Sequence, residues 1–134
     1  MKVYIVDDSE VVIERLKTML SELAEIQVIG QAQNPSEAIK DIRKLKPDVV
    51  ILDLRMPGGS GIGVLPNIKQ VHSAPTVMML TNYPYEQYRK KCMEAGADFF
   101  FDKSTEFGKI PEVLRDMMQD AKRKREMADS DSGS

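Results

Sequence analysis

Residues 2–9 read K-V-Y-I-V-D-D-S, an apolar run that ends in two adjacent carboxylates, Asp7 and Asp8. The apolar residues do not alternate with polar ones, which is typical of a strand that is buried on both faces. Because burying two like charges together is costly, a cation is expected close to Asp7 and Asp8. The stretch therefore predicts a central strand that leads into a charged site.

The rest of the chain alternates strand and helix patterns. Ser9 stands where a helix N-cap is expected, and Asn34 with Pro35 forms a cap and a first helical residue. Gly96 closes a later helix, and Pro66 is expected in the first turn of its helix, where backbone N–H groups lack partners in any case. Apolar strands joined by helices predict an α/β fold, a three-layer sandwich whose parallel sheet is covered by helices on both faces. The predicted strands are residues 3–6, 26–32, 49–52, 76–80 and 99–101, and the predicted helices are residues 9–23, 35–46, 63–71, 85–95 and 110–121.

The composition is that of a soluble globular protein, with 42% hydrophobic and 30% charged residues. A net charge of −2 gives no field that would attract the whole molecule to nucleic acid or to a membrane. Cys92 is the single cysteine, which excludes an internal disulfide, and no cysteine–histidine cluster suggests zinc. Asp7 and Asp8 interrupt any signal-peptide pattern, and no apolar run approaches the roughly 20 residues of a membrane span. A cytoplasmic location is therefore expected.

Residues 122–134 lose the apolar stripe of the last helix. They are expected to form a charged, disordered tail behind a domain of residues 1–121. The tail begins with four basic residues, Lys122 to Arg125, which Glu126 and later acids dilute. A solvated helix end explains this basic run better than nucleic-acid contact does, because cations are favoured at a helix C-terminus.

Polar side chains that bind metal or phosphate stand at the ends of four of the five predicted strands. In open parallel sheets ligands bind at the carboxyl ends of strands, so residues far apart in the chain become neighbours there. Three carboxylates suit Mg²⁺, which prefers oxygen ligands, and a carboxylate beside such a metal can act as a nucleophile toward phosphorus. A lysine ammonium and a threonine hydroxyl would then bind phosphoryl oxygens. These residues are Asp7, Asp8, Asp53, Thr81 and Lys103.

Four segments of the chain together resemble the receiver domain of two-component response regulators, over residues 2 to about 121. No segment is decisive alone, but all four stand at predicted strand ends in the order of that family. The resemblance implies a flavodoxin-like (βα)5 fold whose five-stranded sheet has the order 2-1-3-4-5. The segments are V-D-D at 6–8, L-D-L-R-M-P-G-G-S-G at 52–61, M-L-T at 79–81 and F-F-D-K-S at 100–104.

The resemblance also implies a chemical role for each site residue. Asp53 would accept a phosphoryl group from a histidine kinase or a phosphotransfer protein, in a phosphorelay reaction that needs Mg²⁺. Asp8 would ligate Mg²⁺ directly and Asp7 largely through water. Asp53 and the backbone carbonyl of Arg55 would be further ligands. Such a chain would catalyse only its own phosphorylation and dephosphorylation and would not be an enzyme for another substrate.

A two-state switch follows from the same resemblance. Lys103 would bind the phosphoryl group, Thr81 would move toward it, and Phe100 would follow inward. The fourth helix, fifth strand and fifth helix would then form the surface that binds an unknown output protein. No output domain, membrane binding or direct nucleic-acid binding is expected of this chain.

Three features depart from the family pattern. Phe100 replaces the more common tyrosine, so a switch at this position has to work by packing alone. Ser104 follows Lys103 where many receivers have proline, which predicts a more flexible loop. Arg55 and Tyr83 occupy positions at which receivers tune the lifetime of the phosphate. Arg55 is able to pair either with a phosphate or with an acidic side chain, and the sequence does not choose between them.

Other functions fit these residues less well. An aspartyl-phosphate phosphatase usually has a second acid two residues after its nucleophile, where this chain has Arg55. A flavin carrier of the same fold would follow its first strand with a hydroxyl and a glycine loop rather than with Asp7 and Asp8. A non-phosphorylated protein-binding module with the receiver fold remains an alternative, and so does a receiver fragment of a longer regulator.

Overall fold

Strands and helices alternate along residues 1–132, which are the residues that the computed structural model describes, with side chains up to Asp129. Most of the observed boundaries lie within two residues of the predicted ones. The strands are β1 (Lys2–Val6), β2 (Gln27–Ala32), β3 (Val49–Leu52), β4 (Arg55–Met56), β5 (Gly59–Ser60), β6 (Thr76–Thr81) and β7 (Phe99–Asp102). The helices are α1 (Glu10–Ser21), α2 (Pro35–Leu45), α3 (Gly61–Lys69), α4 (Glu86–Glu94) and α5 (Lys109–Ser132).

The main sheet is parallel and has the strand order β2-β1-β3-β6-β7. When the strands of this sheet alone are numbered along the chain, the order is 2-1-3-4-5, so the predicted flavodoxin-like α/β fold is confirmed. Leu52 pairs with Val6 on one side and with Met79 on the other, and Thr81 pairs with Asp102. The carboxyl ends of β1, β3, β6 and β7 therefore meet at one edge of the sheet.

Each face of the sheet carries its own hydrophobic core. On β1, Val3 and Ile5 face α1 and α5, whereas Tyr4 and Val6 face the layer formed by α2, α3 and α4. All four side chains are at most 1% exposed, which explains why β1 shows no polar alternation. Full burial of one aliphatic side chain of this kind contributes about 1.5–3 kcal/mol. These contacts on both faces hold the strand ends rigidly in place.

The predicted helix starts after Ser9 and Asn34 are confirmed. Ser9 Oγ accepts a hydrogen bond from the backbone N–H of Val12 at 3.3 Å, and Asn34 Oδ1 accepts one from Glu37 at 2.9 Å. Pro35 follows Asn34 as the first residue of α2. Each cap satisfies an N–H group that has no partner within its helix and contributes about 1 kcal/mol.

Pro66 lies inside α3 rather than in its first turn, so the predicted start of this helix is wrong. α3 begins at Gly61, which makes Pro66 its sixth residue. The early start results from Ser60, whose Oγ accepts from the N–H of Ile62 at 3.1 Å and donates to the carbonyl of Leu54 at 2.9 Å. Burial of the apolar side of α3 against the sheet outweighs the hydrogen bond that proline cannot donate.

The predicted loop between Arg55 and Gly61 contains a short hairpin. β4 and β5 pair antiparallel, with Arg55 opposite Ser60 and Met56 opposite Gly59. Gly58 has a φ of +86°, a conformation that glycine adopts at little steric cost. The hairpin turns the chain from the end of β3 into the start of α3, directly beside Asp53.

Gly61 has no room for a side chain. A Cβ at this residue would collide with the carbonyl oxygen of Asp53, whereas a Cβ at Gly63 would meet nothing within 4 Å. We expect Gly61→Ala to lower the free energy of unfolding by about 2 kcal/mol, because backbone atoms have to move. The matched control Gly63→Ala is expected to raise it by about 0.5–1 kcal/mol, as alanine favours a helix interior. Urea unfolding measures both effects, and a Gly61→Ala protein as stable as the wild type would contradict this packing.

α5 continues to Ser132, which differs from the disorder predicted from residue 122 onward. Residues 122–129 are exposed, so burial contributes little to the stability of this part of the helix. Lysine, arginine, glutamate, methionine and alanine are good helix formers, and opposite charges stand four residues apart at Lys122 and Glu126. Neither α5 nor any other helix in residues 1–132 is long and apolar enough to cross a membrane. The domain boundary at residue 121 stays a prediction, and residues 133–134 of the predicted tail lie outside the described residues.

Candidate functional site

Four strand ends bring the predicted site residues together. Asp7 follows β1 and Asp53 follows β3, and the backbone N–H of Asp53 donates to the carbonyl of Val6 at 2.9 Å. Lys103 follows β7, and its backbone N–H donates to the carbonyl of Thr81, the last residue of β6, at 2.9 Å. Hydrogen bonds that continue the sheet ladder past the strands therefore hold these residues side by side.

Three carboxylates converge at this edge of the sheet. Asp7, Asp8 and Asp53 each offer one oxygen, and these oxygens all lie within 4.8 Å of one another. Asp7 and Asp53 are buried whereas Asp8 is exposed, so the cluster opens to solvent on the side of Asp8. Carboxylate oxygens with this spacing and an excess of negative charge fit a hard divalent cation such as Mg²⁺.

Lys103 supplies the positive charge inside this cluster. Its Nζ lies 2.7 Å from Asp7 Oδ2 and 3.3 Å from Asp53 Oδ2, and its side chain is only 9% exposed. Burial alone would lower the pKa of this ammonium group, but the hydrogen bond to Asp7 and the charges of Asp53 and Asp7 outweigh it and raise the pKa. Lys103 therefore stays protonated and links the two buried carboxylates.

Asp53 is harder to ionise than an ordinary aspartate, because its pKa is raised. Burial and the negative charge of Asp7 raise its pKa from an ordinary value of 3.8 to about 6, although Lys103 acts in the opposite direction. With this pKa Asp53 is mostly ionised near pH 7.5, but its charge is held at a cost in free energy. A further cation at the cluster would lower that cost.

Thr81 and Phe100 lie behind the carboxylates. The Thr81 side chain is fully buried, and its Oγ1 accepts a hydrogen bond from the backbone N–H of Tyr83 at 2.9 Å. Phe100 is 6% exposed and belongs to the core between the sheet and the layer of α2, α3 and α4, against which Tyr88 also packs. In this structure the threonine hydroxyl is thus bonded to the segment after β6, and the phenylalanine ring is already inside.

The loop after Lys103 is held by a hydrogen-bond network that the sequence analysis missed. Asp102 Oδ1 accepts hydrogen bonds from the N–H of Ser104 at 2.8 Å and from its hydroxyl at 2.6 Å. The N–H of Asp102 donates to Glu106 Oε1 at 3.1 Å. The prediction of a more flexible loop rested on the missing proline alone. The aspartate–serine spacing, which is common in tight turns, is the signal in the sequence for this network, and the flexibility of the loop stays a prediction.

Arg55 lines a cavity beside the carboxylate cluster. This cavity has a volume of about 460 Å³, and Asp8, Asp53 and Lys103 are among its other lining residues. Its guanidinium group nevertheless turns toward two tyrosines. One of its nitrogens donates to Tyr88 Oη at 2.7 Å, and its central carbon lies 4.4 Å from the centroid of the Tyr83 ring. Among the described residues, Arg55 therefore contacts tyrosines rather than the acidic side chain that the sequence offered as one partner.

The chain is similar to several known proteins and solved structures. The protein-glutamate methylesterase/protein-glutamine glutaminase 1 of Carboxydothermus hydrogenoformans is 38% identical over 120 residues, which are 88% of this chain and 35% of that protein. The response regulator domain of Thermotoga maritima CheB has a TM-score of 0.77 at 29% identity, over 89% of this chain and 94% of that chain. The CheX–CheY–BeF3–Mg complex of Borrelia burgdorferi has a TM-score of 0.73 at 28% identity, over 85% and 89% of the two chains. The chain spans between about a third and about half the length of the curated relatives it matches first.

The family assignment agrees with the fold and with the residues at the strand ends. The model of the response regulator receiver domain matches residues 3–115, from β1 into α5. This match covers most of the chain and includes every strand of the main sheet. The protein therefore belongs to the response regulator receiver domain family.

Proposed function

We propose that this receiver domain is controlled by phosphorylation of Asp53 in a reaction that depends on Mg²⁺. The observation that carries the proposal is the contact of Lys103 Nζ with Asp53 at 3.3 Å inside a cluster of three carboxylates. Such an arrangement gives a nucleophile, a fixed cation for phosphoryl oxygens and oxygen ligands for a metal within one cavity.

The reaction is a direct transfer to Asp53. A carboxylate oxygen of Asp53 attacks the phosphorus atom of the donor, and the bond from phosphorus to the donor's leaving group breaks as the new O–P bond forms. The leaving group departs with its electron pair. Lys103 moves from the carboxylate of Asp53 toward an oxygen of the transferred group and keeps its hydrogen bond to Asp7. Mg²⁺, held by Asp7, Asp8, Asp53 and the carbonyl of Arg55, would supply the remaining positive charge at the phosphoryl oxygens.

Thr81 and Phe100 would change their contacts when Asp53 is phosphorylated. The hydroxyl of Thr81 turns to donate to a phosphoryl oxygen and so gives up the hydrogen bond that it accepts from the N–H of Tyr83, which releases the segment before α4. Phe100 shares a core with Cys92 of α4, and the central carbon of the Arg89 guanidinium group on α4 lies 5.8 Å from its ring, so Phe100 adjusts its packing as that segment moves. The surface of α4, β7 and α5 would thereby change for an output protein, while a histidine kinase or a phosphotransfer protein supplies the phosphoryl group.

Intact-mass measurement with acetyl phosphate tests the proposal. We expect one phosphoryl group per chain in the presence of Mg²⁺, and none with EDTA or in Asp53→Asn. Asp48→Asn is a matched control, because Asp48 precedes β3 at the opposite edge of the sheet and its Oδ2 accepts from the N–H of Lys2. This variant should be phosphorylated like the wild type.

The alternative to this function is a binding module with the receiver fold that is not phosphorylated. Absence of an adduct with acetyl phosphate, together with no Mg²⁺-dependent response to beryllofluoride, would favour that alternative and end the proposal. A full adduct in Asp53→Asn would instead show that another residue accepts the phosphoryl group.

A further inference from the structure

Arg55 makes contacts that phosphoryl chemistry at Asp53 leaves unexplained. It stands two residues after Asp53 on β4, and its guanidinium group bridges two different elements. It donates to Tyr88 Oη at 2.7 Å, and its central carbon lies 5.5 Å from the Tyr88 ring and 4.4 Å from the Tyr83 ring. Tyr88 belongs to α4, so this one side chain links the hairpin beside Asp53 to that helix.

Arg55 has no ion pair with the acids of the site. Within the described residues, neither Asp7, Asp8 nor Asp53 forms a salt bridge with Arg55, although Arg55 and two of these acids line one cavity. A hydrogen bond to a neutral phenol and a partly exposed cation–π contact hold a guanidinium group less strongly than a dianionic oxygen cluster does. Its contacts with the two tyrosines therefore hold Arg55 less strongly than a dianionic group in the same cavity would.

A phosphoryl group on Asp53 would change the charge balance of this cavity. Replacement of one carboxylate charge by about two phosphate charges leaves an excess of negative charge, even with Lys103 and a divalent cation in place. Arg55 is the remaining cation that lines the cavity among the described residues. A planar guanidinium group can bind two phosphoryl oxygens at once, which the Lys103 ammonium cannot do with the same geometry.

The first turn of α4 depends on the contact that Arg55 would give up. Cys92 is the one buried residue of α4 in the structure, and the N-cap residue Tyr85 makes no side-chain capping hydrogen bond. A helix with little burial and an uncapped start is held weakly, so the loss of one side-chain contact has a large relative effect. Tyr88 is the residue through which Arg55 holds that turn.

We infer that Arg55 is a second phosphate-binding cation that Tyr88 holds on α4 until Asp53 is phosphorylated. When the phosphoryl group arrives, Arg55 moves onto its oxygens and releases the first turn of α4. This inference rests on the proposed function and adds the residue pair that carries the charge change to the helix. It also predicts that substitutions of Arg55 and of Tyr88 change the affinity for the phosphoryl group in opposite directions. Arg55 binds the phosphoryl group, whereas Tyr88 competes with that group for Arg55.

Beryllofluoride with Mg²⁺ serves as the probe, and its binding is followed through backbone amide signals in an NMR titration. We expect Tyr88→Phe to bind it about threefold more tightly than the wild type, since the competing hydroxyl is gone. Arg55→Gln is expected to bind it about tenfold more weakly. Tyr85→Phe is the matched control, as it removes a hydroxyl in the same region that has no contact with Arg55 among the described side chains, and its affinity should equal that of the wild type.

Hydrogen exchange of residues 86–91 gives an independent readout. In the wild type, exchange should become faster when Mg²⁺ and beryllofluoride are added, and in Tyr88→Phe and Arg55→Gln it should be fast already without them. A role of the pair in stability alone would move the two affinities in the same direction. That result, or unchanged affinity in either variant, would overturn the inference. Wild-type protein that does not bind beryllofluoride at all would overturn the proposed function itself.

Discussion

Replacement of Lys103 by methionine is expected to lower the free energy of unfolding of the metal-free protein by about 2 kcal/mol at pH 8. Lys103 is the cation between Asp7 and Asp53, whose side chains are 2% and 6% exposed. Methionine has a similar length but leaves the two buried carboxylates facing each other without a positive charge. Removal of one partner from a buried ion pair typically costs about 3–5 kcal/mol, and uptake of a proton by Asp53 reduces that cost here.

Urea unfolding in EDTA measures this loss, and Lys109→Met is the matched control. Lys109 pairs with Glu106 on the surface at 2.9 Å and is 58% exposed, so its replacement should change stability by less than about 0.5 kcal/mol. Addition of Asp7→Asn to Lys103→Met should restore part of the loss, because one of the two facing charges is removed. Equal stability of the Lys103→Met and Lys109→Met proteins would contradict the role of Lys103 in the cluster. The Lys103→Met protein should also accept phosphate from acetyl phosphate much more slowly.

Asp53→Asn is expected to stabilise the metal-free protein, and the gain should grow with pH. The pKa of Asp53 is about 6 in the folded chain against 3.8 for the free group, so the folded state binds the proton more tightly. Between these two values the folded wild type holds more protons than the unfolded chain, and its stability falls as the pH rises. Asparagine carries no charge at any pH and avoids this loss. The gain should therefore be near zero at pH 3.5 and complete above about pH 7, where it amounts to about 3 kcal/mol.

Urea unfolding of the wild type and Asp53→Asn in EDTA at pH 3.5, 5.5 and 8 measures this dependence. Asp116→Asn on the exposed side of α5 is the control, and it should track the wild type closely at all three values. Mg²⁺ at pH 8 should stabilise the wild type more than Asp53→Asn and so reduce the difference between their free energies of unfolding. A gain that is the same at pH 3.5 and at pH 8 would show that ionisation of Asp53 is not its source.

Sequence patterns predicted the strands well because each buried strand is a short, continuous apolar run. The run Val49-Val50-Ile51-Leu52 and the alternation of such runs with amphipathic helices were sufficient for the parallel α/β fold. The helix patterns were less reliable. Pro66 moved the predicted start of α3 to the wrong residue, since the hydrogen bonds of Ser60 to Leu54 and Ile62 depend on how the hairpin folds back. α5 also extends beyond its predicted end, because the residues after 121 have no apolar stripe and remain helical through residues with high helix propensity.

Only the tertiary structure decided which side chains of the site touch. From the sequence alone, Asp7, Asp53, Thr81 and Lys103 are expected at one edge, because parallel strands bring their carboxyl ends together wherever they lie in the chain. The bridging position of Lys103 Nζ depends on rotamers and on the twist of the sheet, which no short segment encodes. The same holds for the hydrogen bond from Arg55 to Tyr88, which joins residues 33 positions apart. Local patterns thus determine the elements and the edge at which they meet, whereas contacts between distant side chains require the packed core that holds both partners.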